Sequence, residues 1–119
     1  MKYVFLIYEP EAHEPAPGSP KFVEWMKGYR AFSQETRDKG ILLSGAPLEH
    51  THAATTVRIR DGSVDTFDGP FAETKEQLGG FYMLECADLD EALQYAAKIP
   101  AAHYGCVEVR PVRVFEPPK

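Results

Sequence analysis

Residues 2–8, KYVFLIY, constrain the fold more than any other stretch, because they are apolar on both alternating faces. A strand with one solvated face alternates apolar and polar side chains, whereas a strand without that alternation is covered on both sides. Residues 79–86, GGFYMLEC, show the same pattern. The segments around these strands decide what can cover them. Ser19 and Pro20 have the form of an N-cap and a first helical residue. Phe22, Val23, Met26, Tyr29 and Phe32 then recur at helical spacing, and Gly40 is the left-handed stop. ILLSGAPL (41–48) reads as a second strand. TTVRIR and SVDTFD flank Asp61-Gly62, the composition of a two-residue hairpin loop. Asp88 and Glu91 form a capping box for a helix through Ile99, which Pro100 ends. GCVEVRPVRVF (105–115) is the last strand. Its apolar parity flips at Pro111, which calls for a bulge or for a second half facing another partner.

The order is β-α-β-hairpin-β-α-β, the ferredoxin-like split βαβ arrangement of the α+β class. Two helices cover one face of such a sheet, so a homodimer that buries the other face is expected. The 119 residues fit a single domain, 1–119. A net charge of -5 argues against nucleic acid, which needs a basic face. MKYVFLIYEPE lacks the apolar region and cleavage site of a signal peptide, and no run is long enough to span a membrane, so a cytoplasmic location is expected. Cys86 and Cys106 lack CxxC spacing and read as buried free thiols.

Residues 67–82, FDGPFAETKEQLGGFY, crowd polar chemistry between two strands. Hairpin register sets Thr55 opposite Asp68, Val57 opposite Thr66 and Arg58 opposite Asp65, the last as an ion pair. Asp68 then shares a face with Val57, Ile59 and Val64. If that face points inward, the carboxylate sits at the core edge and needs partners. Two compatible readings follow: Asp68 caps the Gly69-Pro70 turn, or it is a pocket carboxylate. Phe71 reads as a plug for the core. AETKEQ (72–77) reads as one helical turn, with Glu73, Lys75 and Glu76 on a solvated face, in dimer contacts or at a pocket mouth. Trp25 and Tyr82 are core or pocket wall, and Tyr29 is a core aromatic or a working hydroxyl. His103, after Pro100, is a surface residue first and a pocket neighbour second. His50 and His52 have no third ligand nearby, so no metal is expected. No P-loop, dinucleotide fingerprint or nucleophile elbow is present, and no cofactor is expected.

DGPFAETKEQLGGFY, with ATTVRIRDG before it and IPAAHYGCVEVRPV after it, resembles the DGPF-motif branch of the YCII-related family across nearly the whole chain. The resemblance implies a ferredoxin-like fold that dimerises sheet to sheet, the dimeric α/β-barrel. It implies binding of a small organic molecule, with cofactor-independent proton transfer of the kind used by lactone isomerases and a dehydrochlorinase of the wider superfamily. It equally implies a non-catalytic alternative, a sensor or accessory protein with a regulatory partner of the sigma-factor type. In the broader family a His on the first helix and an Asp in the middle strands form an acid/base dyad. Tyr29 and Asp68 occupy those positions. A tyrosine, with a pKa near 10, is a poor base at neutral pH and a competent donor. A Tyr29–Asp68 hydrogen bond is therefore expected.

Overall fold

The computed structural model describes residues 1–117. Strand β1 (Lys2–Glu9) leads through a proline-rich loop into helix α1 (Pro20–Asp38), followed by β2 (Leu42–Pro47), β3 (Thr55–Arg60), β4 (Ser63–Asp68), β5 (Gln77–Glu85), helix α2 (Leu89–Ala96) and β6 (Cys106–Pro111). The main sheet has four antiparallel strands in the order β2-β5-β1-β6. This is the α+β, ferredoxin-like order that the sequence predicts.

The helix ends follow local chemistry. The Phe22 amide donates to the Ser19 hydroxyl at 3.1 Å, and Pro20 opens α1 where its missing N–H costs nothing. Gly40, at φ 71°, lies just past the end of α1. The Glu91 amide donates to Asp88 Oδ1 at 2.9 Å, and the Glu91 carboxylate accepts from the Ala87 amide rather than from Asp88 itself. Helix α2 is shorter than the periodicity suggests, and a 3₁₀ turn at Pro100–His103 follows it.

Side chains on one face of β1, Tyr3, Phe5 and Ile7, are buried beneath the helices with Phe32, Leu84, Ala92 and Ile99. Burying such side chains stabilises by about 1.5–3 kcal/mol each. Val4, Leu6 and Tyr8 on the opposite face stay half-buried, as do Phe81 and Met83 of β5. Neither helix reaches that face.

The hairpin has the predicted register, with Thr55 opposite Asp68 and Arg58 opposite Asp65. Asp61 and Gly62 both adopt positive φ, 51° and 78°, which matches the right-handed twist of the flanking strands. The hairpin's place in the molecule is different from the expectation. β3 and β4 form a separate two-stranded sheet, and Val57, Ile59 and Val64 are more than 60% exposed. The face that carries Asp68 points outward. Phe71 is 75% exposed and plugs nothing; the Arg58 guanidinium lies over its ring at 5.2 Å and over Phe67 at 5.7 Å. Arg58 thus stacks on aromatics rather than pairing with Asp65. Residues 72–77 form no helix, although the Gln77 side chain closes the turn by donating from Nε2 to the Thr74 carbonyl at 2.8 Å. At Pro111 the strand simply ends, with Val114 and Phe115 exposed beyond it. Cys86 is buried as expected, whereas Cys106, on the open side of the edge strand β6, is exposed.

Candidate functional site

Helix α1 does not lie flat on the sheet along its whole length. Beneath it opens a cleft of about 690 Å³, floored by β1, β2 and β5 and roofed by the inner side of α1. That volume is in the range of small-molecule sites. The floor can come this close because of Gly80: a Cβ there would sit 2.9 Å from the Ala46 carbonyl oxygen. Next to it, the β1–β5 register shifts between Ile7 and Tyr8, so that Gly79 is the extra residue of a bulge that opens onto the cleft.

The walls are aromatic. Trp25 and Tyr29 meet edge to face at 5.2 Å, Phe22 tilts against Trp25, and Phe32 tilts against Tyr82. Most polar groups are tied down. Trp25 Nε1 donates to the Tyr104 hydroxyl at 2.7 Å, and the Tyr82 and Ser33 hydroxyls are 3.2 Å apart. His13 stacks on Tyr104 at 5.4 Å. Among the described residues, Glu9 Oε2 and the Tyr29 hydroxyl are buried without a hydrogen-bond partner of normal geometry, although the Tyr104 hydroxyl lies close to both side chains. Both residues line the cleft. Orphaned buried polar atoms are costly, and a functional site is where they persist.

Their acidities follow from burial. Glu9 is pushed above the usual carboxylate range by desolvation, which the nearby Tyr104 hydroxyl opposes and the Glu14 charge reinforces. Tyr29 is pushed up strongly by desolvation and by the Glu9 carboxylate, so it remains protonated and a donor. The site therefore offers one fixed donor and one carboxyl group whose proton is more readily held than usual.

A second set of contacts holds the cleft's end. His50 pairs with Glu14, while the Thr51 amide and hydroxyl donate to Glu11 at 2.6 and 3.1 Å. These bonds fasten the 10–19 loop to the segment that follows β2.

Of the residues singled out in the sequence, Trp25, Tyr29 and Tyr82 meet in the cleft. Asp68, Phe71, Glu73, Lys75 and His103 are exposed and do not line it. Among the described residues the Tyr29 hydroxyl has no hydrogen-bond partner, so the expected bond to Asp68 is not formed; the hairpin is a separate sheet whose Asp68 face is turned to solvent. Sequence reading missed Glu9. It lies on β1 in step with Tyr3, Phe5 and Ile7, so extending the inward parity by one more position would have found it. Tyr104, before Gly105 in a short turn, carries no comparable signal.

The fold and site define an α+β protein of ferredoxin-like topology with a ligand-sized cleft under its first helix. The chain belongs to the YCII-related domain family, whose model matches residues 1–116. It is 40% identical over 119 residues to an uncharacterised protein of Rhizobium meliloti (strain 1021), covering 98% of this chain and 96% of that one. Among solved structures it resembles the 5-chloro-2-hydroxyhydroquinone dehydrochlorinase of Burkholderia phenoliruptrix AC1100, in complex with 2,5-dihydroxybenzoquinone. The TM-score is 0.50 at 16% identity, over 95% of this chain and 94% of that chain. This likeness shows a shared fold.

Proposed function

We propose that the protein binds a small aromatic or polar organic molecule in the α1–sheet cleft, and that its chemistry there is cofactor-independent proton transfer of the isomerase or lyase kind. The observation that carries this reading is a pair of buried atoms unpartnered among the described residues, Glu9 Oε2 and the Tyr29 hydroxyl, in one aromatic-walled cleft. Tyr29 donates to a ligand oxygen. Glu9 exchanges a proton with the ligand, its pKa raised toward the working range of a general acid/base. The structural neighbour's ligand, an oxygenated six-membered ring, is the chemical type such a cleft suits.

A second copy completes this reading. The half-buried apolar face of Val4, Leu6, Phe81 and Met83, and the outward face of a hairpin too small to be stable alone, both call for cover. Asp68, Phe71, Glu73 and Lys75 enter a site in this reading only through the dimer. The DGPF-type segment is then an inter-subunit element rather than an internal plug.

Calorimetric titration with 2,5-dihydroxybenzoquinone and related hydroxyaromatics tests the proposal. Binding is expected in the native chain and about tenfold weaker in Tyr29→Phe. Solvent deuterium entering the bound ligand separates an enzyme from a sensor. Absence of binding across the panel rejects the cleft reading; binding without exchange rejects the proton-transfer half.

A further inference from the structure

The cleft is polarised along α1. Glu9 and Glu14 meet near Trp25, Arg30 follows Tyr29 directly, and Arg37 lines the cleft two turns further along the helix. Seven residues at the helical rise put the two arginines about 10 Å apart along the axis. Neither has an ion-pair partner among the described residues, and the acids of α1 are engaged elsewhere. Glu24 is 3.6 Å from Lys27, Glu35 is 3.1 Å from Lys39 and 2.6 Å from Lys98, and Asp38 accepts from Gln34 at 2.7 Å. Arg30 and Arg37 are both exposed residues of α1 that line the cleft, so their guanidinium groups are open to a ligand there. Guanidinium groups match carboxylate geometry better than any other side chain.

We infer that the cleft selects an aromatic acid. The ring lies between Trp25 and Tyr82, an oxygen substituent meets Tyr29 and Glu9, and a carboxylate toward the C-terminal end of α1 meets Arg37, with Arg30 on the wall between. This inference rests on the proposed cleft function and adds the charge of its ligand.

The test is calorimetric titration at neutral pH with para-hydroxycinnamate and with its neutral amide, para-hydroxycinnamamide. The acid is expected to bind about tenfold or more tightly than the amide. Raising salt from about 50 to about 500 mM is expected to shrink the difference. In the exposed double variant Arg30→Gln/Arg37→Gln, checked for an unchanged circular dichroism spectrum, acid and amide bind alike at the amide's native affinity. Equal binding of acid and amide to the native chain overturns the inference while leaving the cleft reading intact. If neither binds, both fall. An acid preference that survives the double variant places the carboxylate elsewhere and also overturns it.

Discussion

At the scale of single residues, Glu9 is the group whose behaviour separates a site from a packing defect. Burial raises its folded-state pKa, so the folded chain keeps a proton that the unfolded chain releases earlier as pH rises. The protonated form's contribution is complete below the ordinary carboxylate value. It is lost as pH climbs from there through the raised folded value. Glu9→Gln keeps the shape and removes the titration. Its urea midpoint is expected to exceed that of the native chain at neutral pH and to lose this pH slope, with m unchanged. A variant with the native slope would show that Glu9 titrates as an ordinary surface acid. Tyr29→Phe deletes a buried hydroxyl without a hydrogen-bond partner of normal geometry among the described residues, so thermal stability is expected to hold or rise while ligand affinity falls. Much at this scale was legible. Tyr29 followed from the helical stripe and Tyr82 from the two-sided strand, while Trp25, off that stripe, reads only as core or pocket wall. Arg30 and Arg37 were not legible, because a surface arginine on a helix looks the same in sequence whether it faces bulk water or a cleft.

At the scale of elements, the N-caps of both helices and the hairpin register follow from local chemistry and are found where the sequence places them, whereas the helical turn expected at 72–77 is not formed. What local chemistry cannot say is which body an apolar strand face packs against. The face holding Val57, Ile59, Val64 and Asp68 has the pattern of a core strand, yet it is open. Two predictions belong here. Gly80→Ala drives a Cβ toward the Ala46 carbonyl and must spread β2 from β5, so a loss of about 1–3 kcal/mol in denaturant unfolding is expected. A neutral result would mean that the cleft floor is not tightly set. The second prediction concerns the fastening of the 10–19 loop. The Glu14 hydrogen bond raises the His50 pKa, so this contact is fully present below the ordinary imidazole value and lost as pH rises through the raised one. Hydrogen-exchange protection of the Thr51 amide, which bonds Glu11 beside that pair, is expected to fall across that window and to be flat and low in His50→Gln. Equal protection in both proteins would mean the loop is held without His50.

At the scale of the whole molecule, one chain is flat. Its extents are 51 × 48 × 19 Å and its radius of gyration is 16.7 Å, whereas a compact chain of this length measures about 13–14 Å. The excess comes from a sheet covered on one side and a hairpin sheet whose apolar face is open to solvent. Light scattering is therefore expected to give twice the chain's 13.3 kDa, and Leu6→Glu with Met83→Glu, on the open face, to return the monomer. A monodisperse monomer in the native chain would contradict the proposed pairing. The central claim, that the α1–sheet cleft is the ligand site, has a direct reporter. Trp25 is the chain's single tryptophan, and its indole N–H lies in the cleft wall bonded to Tyr104. In a two-dimensional amide NMR titration with para-hydroxycinnamate, the lone indole signal and the amides of Gly45, Gly79 and Gly80 are expected to shift together, with the tip of the hairpin around Asp61 and Gly62 unmoved. Shifts confined to the hairpin, with the indole signal still in place at saturation, would contradict the account.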